Sequence, residues 1–405
     1  MPNALLNLSI LDYEICMKIQ IPVLDFEIAF GQSLANFPTP ETLKNVLLPY
    51  FSQHLQLKNQ RNITWKINLK DAQISQTKDA FSNDYQELML TFQAFPPDLL
   101  DLRNFTIFYD AVIHQVVTHK ALVNVVADWK NGISNESKLL GIIELDIPTN
   151  TIPPISVSLE KGSTWKGLKS MVSLGIHHIA EGTDHLLFVL VLLLPAPLLA
   201  APKSWGNFGG FWYSARRLLH IITAFTLGHS LTLLIGSLEW LRLPPTLVEV
   251  FIAFSIWVSA IHAIRPIFYG REIWIAGGFG CVHGLAFANI LNNFELQPSQ
   301  WFWSLLGFNV GIELMQLLVV GLFLPALWLL SQYKIYKYIR LEGAIFTLIV
   351  ASGWIFERIT NTPTFITSGV EQLRNYALHF AFFLFLFALI IHFYNFTKIK
   401  KAKSF

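Results

Sequence analysis

The chain has 405 residues, of which 53% are hydrophobic and only 14% charged, with a mean hydropathy of +0.46. A soluble protein carries roughly 25% charged residues, so the composition excludes a protein that is soluble throughout and points to a lipid bilayer. The net charge of +2 gives no reason to expect a nucleic-acid partner, and the two cysteines, Cys16 and Cys281, fall in different parts of the chain and imply no disulfide framework.

The hydrophobicity is uneven. Residues 1–165 hold ordinary numbers of Lys, Asp, Glu and Asn and are predicted to form a β-rich domain, whereas residues 166–405 are predicted to form a polytopic helical membrane domain. The first domain contains one clear helix, "TPETLKNVLLPYF", with Thr39 as N-cap and Pro40 at the first helical position. Strands follow. In "NITWKINL" the residues Ile63, Trp65, Ile67 and Leu69 alternate with polar ones, and in "LMLTFQAF" Leu88, Leu90, Phe92 and Ala94 do the same. "FTIFYDAVI" and "ALVNVVADW" are further strands, and Asn, Gly, Asp and Pro residues separate the runs. An antiparallel β-sandwich is expected. No nucleophile motif or metal-ligand spacing stands out here. His114 and His119, five apart, read as structural or exposed rather than as a ligand pair.

Seven apolar segments follow, at about 168–199, 212–236, 247–269, 273–294, 301–330, 338–358 and 374–397. Each meets the roughly 20 residues a spanning helix requires. With the amino-terminal domain outside, twelve Lys and Arg residues fall in the inner loops and tail against six in the outer connections. Positive charge favours the cytoplasmic side, so the β-rich domain is expected outside and the carboxyl terminus inside. The opening "MPNALLNLSI" is not a cleavable signal peptide.

The first apolar segment begins with "GIHHIAEGTDHLLFVL". Read as one α-helix, it stacks His178 on His185 and His177 on Asp184, with Glu181 between, all within an arc of about 120°. Charged groups facing lipid are costly, so this face is expected to look into the bundle. Imidazole and carboxylate side by side suit a borderline divalent cation such as Ni²⁺, Zn²⁺ or Co²⁺, and a hydrogen-bonded polar seam between helices is the plainer alternative. Other segments add to the set. "FTLGHSLTLL" brings His229 and Ser230, "GCVHGLAFANIL" brings His283, and "FNVGIELMQLL" brings Asn309, Glu313 and Gln316. By the helical rise these residues lie roughly 10 to 20 Å below the outer edge, which predicts one site in the outer half of the bundle. Its metal ligands are expected to be His178, Asp184, His185, His229, His283 and Glu313, with His177, Glu181, Ser230 and Asn309 in supporting positions.

At these residues the chain resembles the HupE/UreJ family of membrane proteins, in the branch with an extracytoplasmic amino-terminal domain. His178, Asp184 and His185 in "HIAEGTDH" fit the family signature of His, five residues, then Asp-His. "FTLGHSLTL", "FGCVHGLAFA" and "FNVGIELMQ" are similar to its recurring blocks, and "MPNALLNLSI" resembles the start of a mature member after signal removal. The resemblance implies a bacterial cytoplasmic-membrane protein that acts as a nickel or divalent-cation permease. It also implies a link to the maturation proteins of hydrogenase or urease.

Three functions are consistent with the residues. The first is a permease, with His178, Asp184 and His185 as entry ligands. The second is an intramembrane metal-dependent hydrolase facing outward, with Glu181 or Glu313 as general base and Ser230 as a less suitable nucleophile. The third is a membrane-anchored assembly module whose β-rich domain holds an exported protein. The inner half of the bundle offers little to a permeating ion, since "LLFVLVLLLPAPLLA" and "LLVVGLFLPALWLL" are apolar. Only His220, Thr223, Ser259, His262 and Cys281 remain there, which counts against transport.

Overall fold

The computed structural model describes residues 3–78, 82, 84–133, 137–238, 240–241, 243–292 and 298–402. The chain divides into two compact units, Met1–Ser170 with Leu296–Trp303, and Met171–Glu295 with Ser304–Phe405.

The first unit is built on two sheets. Strands β1 (Ala4–Ile10), β2 (Ile15–Pro22), β4 (Lys66–Lys78), β5 (Asp84–Phe95), β7 (Ala121–Ala127) and β8 (Lys138–Ile143) form a six-stranded sheet in the order β4-β5-β2-β1-β7-β8. Strands β3 (Leu55–Asn59), β6 (Asn104–Tyr109) and β9 (Ile155–Ser158) form a three-stranded sheet in the order β3-β6-β9. The inward residues of both sheets share one core with α1 (Val23–Phe30) and α2 (Pro40–His54), among them Leu6, Ile19, Leu90, Phe92, Ile107 and Phe51. Thr39 caps α2 with Pro40 in the first turn, as the sequence predicts, and Thr42 completes a capping box. The larger sheet is mixed rather than antiparallel throughout, because β1 and β7 run parallel, pairing Ala4 with Ala121 through Leu8 with Val125. The physical reason is the connection. Strand β7 follows β6 of the other sheet instead of a hairpin partner, so nothing forces it to run against β1. The alternation that makes β1 and β2 strands was also present in "ALLNLSI" and "ICMKIQI", which the sequence reading left unassigned.

The second unit is helical. Helices α3 (Thr164–Glu181) and α4 (Thr183–Leu193) are followed by α5 (Phe211–Ser237), α6 (Pro245–Ile264), α7 (Glu272–Asn292) and α8 (Pro298–Leu330). Then come α9 (Tyr336–Thr360), the short α10 (Phe365–Arg374) and α11 (Ala377–Ala402). Among the described residues, five helices (α5, α6, α8, α9 and α11) are long and apolar enough to cross a bilayer, and the bent pair α3 and α4 passes the same test when its two helices are taken together. The fourth expected segment is α7, and its last two residues, 293–294, lie outside the described residues. The chain is therefore a multi-pass membrane protein with a β-rich unit and a bundle of about seven helices. On α11 the side chains of Phe382, Phe383 and Phe393 are exposed, as lipid-facing residues would be.

Small residues let the helices touch through their backbones. A methyl group at Gly228 of α5 would overlap the Gly277 carbonyl of α7, and one at Gly280 or Gly284 of α7 would overlap the Phe225 or His229 carbonyl of α5. Helices α3 and α8 meet in the same way where Gly175 faces the Phe308 carbonyl and Gly311 faces the Val172 carbonyl.

Candidate metal centre

The expectation of one straight helix through the histidine motif is corrected here. The chain bends by 74° between α3 and α4, at Gly182. The amide of Gly182 still bonds the His178 carbonyl at 3.0 Å, but its ψ of 99° stops the helix, and α4 restarts with Leu186 bonding the Gly182 carbonyl at 3.0 Å. A Cβ at position 182 would stand 2.8 Å from Nδ1 of His185 and 2.9 Å from the His178 carbonyl oxygen, so the corner has no room for one. Asp184 occupies the first turn of α4, where the helix dipole favours an anion. Its Oδ1 accepts from the backbone amide of His185 and lies against Nδ1 of the same ring, both at 2.9 Å.

Four imidazoles gather at this corner from four helices. The ring of His178 is 4.7 Å from that of His185 and 6.5 Å from that of His229 on α5, and the His185 ring is 5.1 Å from that of His283 on α7. His185, His229 and His283 are buried, while His178 is partly so. Phe308 of α8 and Phe188 and Phe225 pack around the rings. Their placement follows from the glycine contacts, because His229 and His283 both sit where α5 and α7 touch most closely.

The hydrogen bonds assign the protons. A carboxylate only accepts, so Nδ1 of His185 donates to Asp184 and leaves Nε2 bare in the neutral ring. Nε2 of His283 lies 3.0 Å from Oγ of Ser255 on α6, whose own hydroxyl proton is used on the Ile252 carbonyl at 2.7 Å. Nε2 of His185, bare once Nδ1 serves Asp184, faces Nδ1 of His283 at hydrogen-bond distance, 3.4 Å. Two metal bonds of about 2.1 Å each span such a gap. Both outer nitrogens are held by a carboxylate or a hydroxyl, the support that metal-ligating imidazoles use. Neither nitrogen of His229 has a hydrogen bond in good geometry, although the Asn309 side chain lies close enough to act on the ring. Among the described residues no three His, Cys, Asp or Glu side chains converge as a closed metal site.

The remaining expected residues are placed as follows. Glu313 accepts from Thr223 at 2.9 Å, and Thr223 lies six residues before His229 on α5, about 9 Å along the axis. It is not brought to the four rings. Ser230 donates to the Thr226 carbonyl at 2.7 Å, and Asn309 donates to the Leu305 carbonyl at 2.8 Å. His177 is exposed and bonded to the Ser173 carbonyl at 2.7 Å. Glu181, exposed, borders a polar cavity of about 330 Å³ with Asp184, Glu249, Glu357, Glu371 and Arg358. The sequence reading missed Glu249, Glu357 and Glu371, which sit at helix ends far apart in the chain.

It also missed Ser255. Ser255, Ser259 and His262 recur at i, i+4 and i+7 on α6, all buried, and Oγ of Ser259 bonds the Ser255 carbonyl at 2.8 Å. This spacing was legible as a polar face on an apolar helix. The stripe leads from His283 to a small cavity lined by Ser259, His262, Arg217 and Glu272, the last two paired at 2.9 Å. There Nδ1 of His262 accepts from the amides of Ile267 and Phe268 at 3.2 Å each, so Nε2 carries the hydrogen.

No curated protein matches the chain. Residues 156–358, half of the chain and including all four imidazoles, match the family described as HupE / UreJ protein, and the chain belongs to that family.

Proposed function

We propose that the chain is a membrane permease for Ni²⁺ or a similar borderline divalent cation. In this reading His185 and His283 form the central pair, His178 and His229 complete the ligand set, and Asp184 orients His185. The reading rests on one observation above the others: four imidazoles from four helices meet inside a membrane bundle, with Nε2 of His185 and Nδ1 of His283 3.4 Å apart. The carboxylates of the outer cavity, Glu181, Asp184, Glu249, Glu357 and Glu371, would raise the local concentration of cations beside that pair. Ser255 extends Ser259 and His262 of the inner half into one buried polar stripe along α6, which supports a path through that half. Glu313 acts as a partner of Thr223 and takes no ligand role. The excess of Lys and Arg in one set of loops supports a β-rich unit on the extracytoplasmic side and a cytoplasmic carboxyl terminus.

The test is metal analysis of the purified protein, wild type against Asp184→Ala and His185→Ala, with radiolabelled nickel uptake into vesicles. The expected result is stoichiometric metal and uptake in the wild type, and loss of both in each variant. Stoichiometric metal without uptake would replace this reading with the outward-facing hydrolase.

A further inference from the structure

The starts of α5 and α7 enclose a groove that does not depend on the imidazole cluster. It measures about 570 Å³, and its polar lining is Tyr213, Arg216, Arg217, His220, Tyr269 and Glu272. Arg217 is already engaged. It pairs with Glu272 at 2.9 Å, donates to the Leu198 carbonyl at 3.3 Å and lies over the Trp205 ring at 5.2 Å. This neutral pair makes one fixed wall. Arg216 is exposed and has no hydrogen bond or ion pair among the described residues, and the same holds for His220 and the hydroxyls of Tyr213 and Tyr269. The groove therefore offers one uncompensated guanidinium with hydroxyl and imidazole donors around it, a set that fits a phosphate.

We propose that this groove binds the headgroup of an anionic phospholipid, with Arg216 on the phosphate and the acyl chains lying along α5 and α7. The surroundings favour a lipid over a free anion. Trp212 on α5 and Trp274 on α7 are both 82% exposed beside the groove. Tryptophan concentrates at the membrane–water interface, and Arg216 stands one turn from Trp212, roughly 6 Å along the axis. Its guanidinium is thus at the depth where lipid phosphates lie. Basic pockets between membrane helices are where anionic headgroups bind. Past the groove, the same face of α5 continues as Ala224, Leu227 and Leu231, the two leucines exposed. On α7 the row that begins at Ile273 continues as Gly277 and Cys281. A methyl group at Gly277 would meet only the Ala224 carbonyl, at 3.5 Å. Small residues on both helices leave a furrow that hydrocarbon can follow, and a soluble anion would make no use of it.

The test is native mass spectrometry of the full chain in detergent, titrated with phosphatidylglycerol. Wild type is compared with Arg216→Gln, Tyr269→Phe and Lys337→Gln, the last removing the same charge from an exposed position at the start of α9. Arg216→Gln should bind the lipid at least about tenfold more weakly, as loss of a charge-assisted contact to phosphate does, and Tyr269→Phe about threefold more weakly. Lys337→Gln should bind as the wild type does. Phosphatidylcholine, which has no net charge, should bind the wild type at least about tenfold more weakly than phosphatidylglycerol. Glycerol phosphate, which lacks acyl chains, should not displace the bound lipid. Wild-type binding in Arg216→Gln, or an equal loss in Lys337→Gln, would overturn the site. Displacement by glycerol phosphate would make the occupant a free anion and overturn the lipid.

Discussion

Gly182 decides the geometry of the corner where the four imidazoles meet. Its lack of a side chain lets His185 and Asp184 fold back against the end of α3, where a Cβ would meet both Nδ1 of His185 and Oδ1 of Asp184. Gly182→Ala should therefore push the Asp184–His185 unit off its present position and lower nickel affinity by roughly 10- to 100-fold, the usual effect of losing such support. Equilibrium dialysis on purified protein checks this, and a variant that binds as the wild type does would show that the corner tolerates the change. Sequence alone carried the identity of His178, Asp184, His185, His229 and His283, because ionisable residues in an apolar run are conspicuous. It could not carry the bend, since a helical wheel assumes a straight axis and one glycine ended it.

The helices α5 and α7 hold two of the four rings, and glycines let their backbones touch. At Gly280 a methyl group would overlap the Phe225 carbonyl, which is backbone and cannot swing aside. Gly280→Ala should cost about 1–3 kcal/mol through forced separation of the helices, seen as a lower melting temperature. It should also weaken nickel binding although no ligand is altered. An unchanged melting temperature would mean that the pair slides to accommodate the group. At this scale the sequence was readable where local rules dominate. The cap at Thr39, the strand alternation and most spans followed from capping, period and length. The parallel pairing of β1 with β7 did not, because it depends on which sheet a strand arrives from.

Across the whole membrane unit, α6 is the element that joins the parts. Glu249 near its start borders the polar cavity beside Glu181, Ser255 lies against His283, and Ser259 and His262 line the small cavity beside Arg217. If this face is the route, Ser259→Leu should leave nickel bound at the four rings while reducing uptake at least about tenfold, since it puts an apolar group in a polar path. Vesicle uptake beside metal analysis reads the two effects separately, and wild-type uptake in Ser259→Leu would remove α6 from the pathway. Beyond Ser259 stands the pairing of Arg217 with Glu272. An ion that reached it would find the carboxylate already engaged, so its onward passage would become an exchange of one cation for another. The guanidinium would then act as a latch, released only by a competitor that outbids it for Glu272.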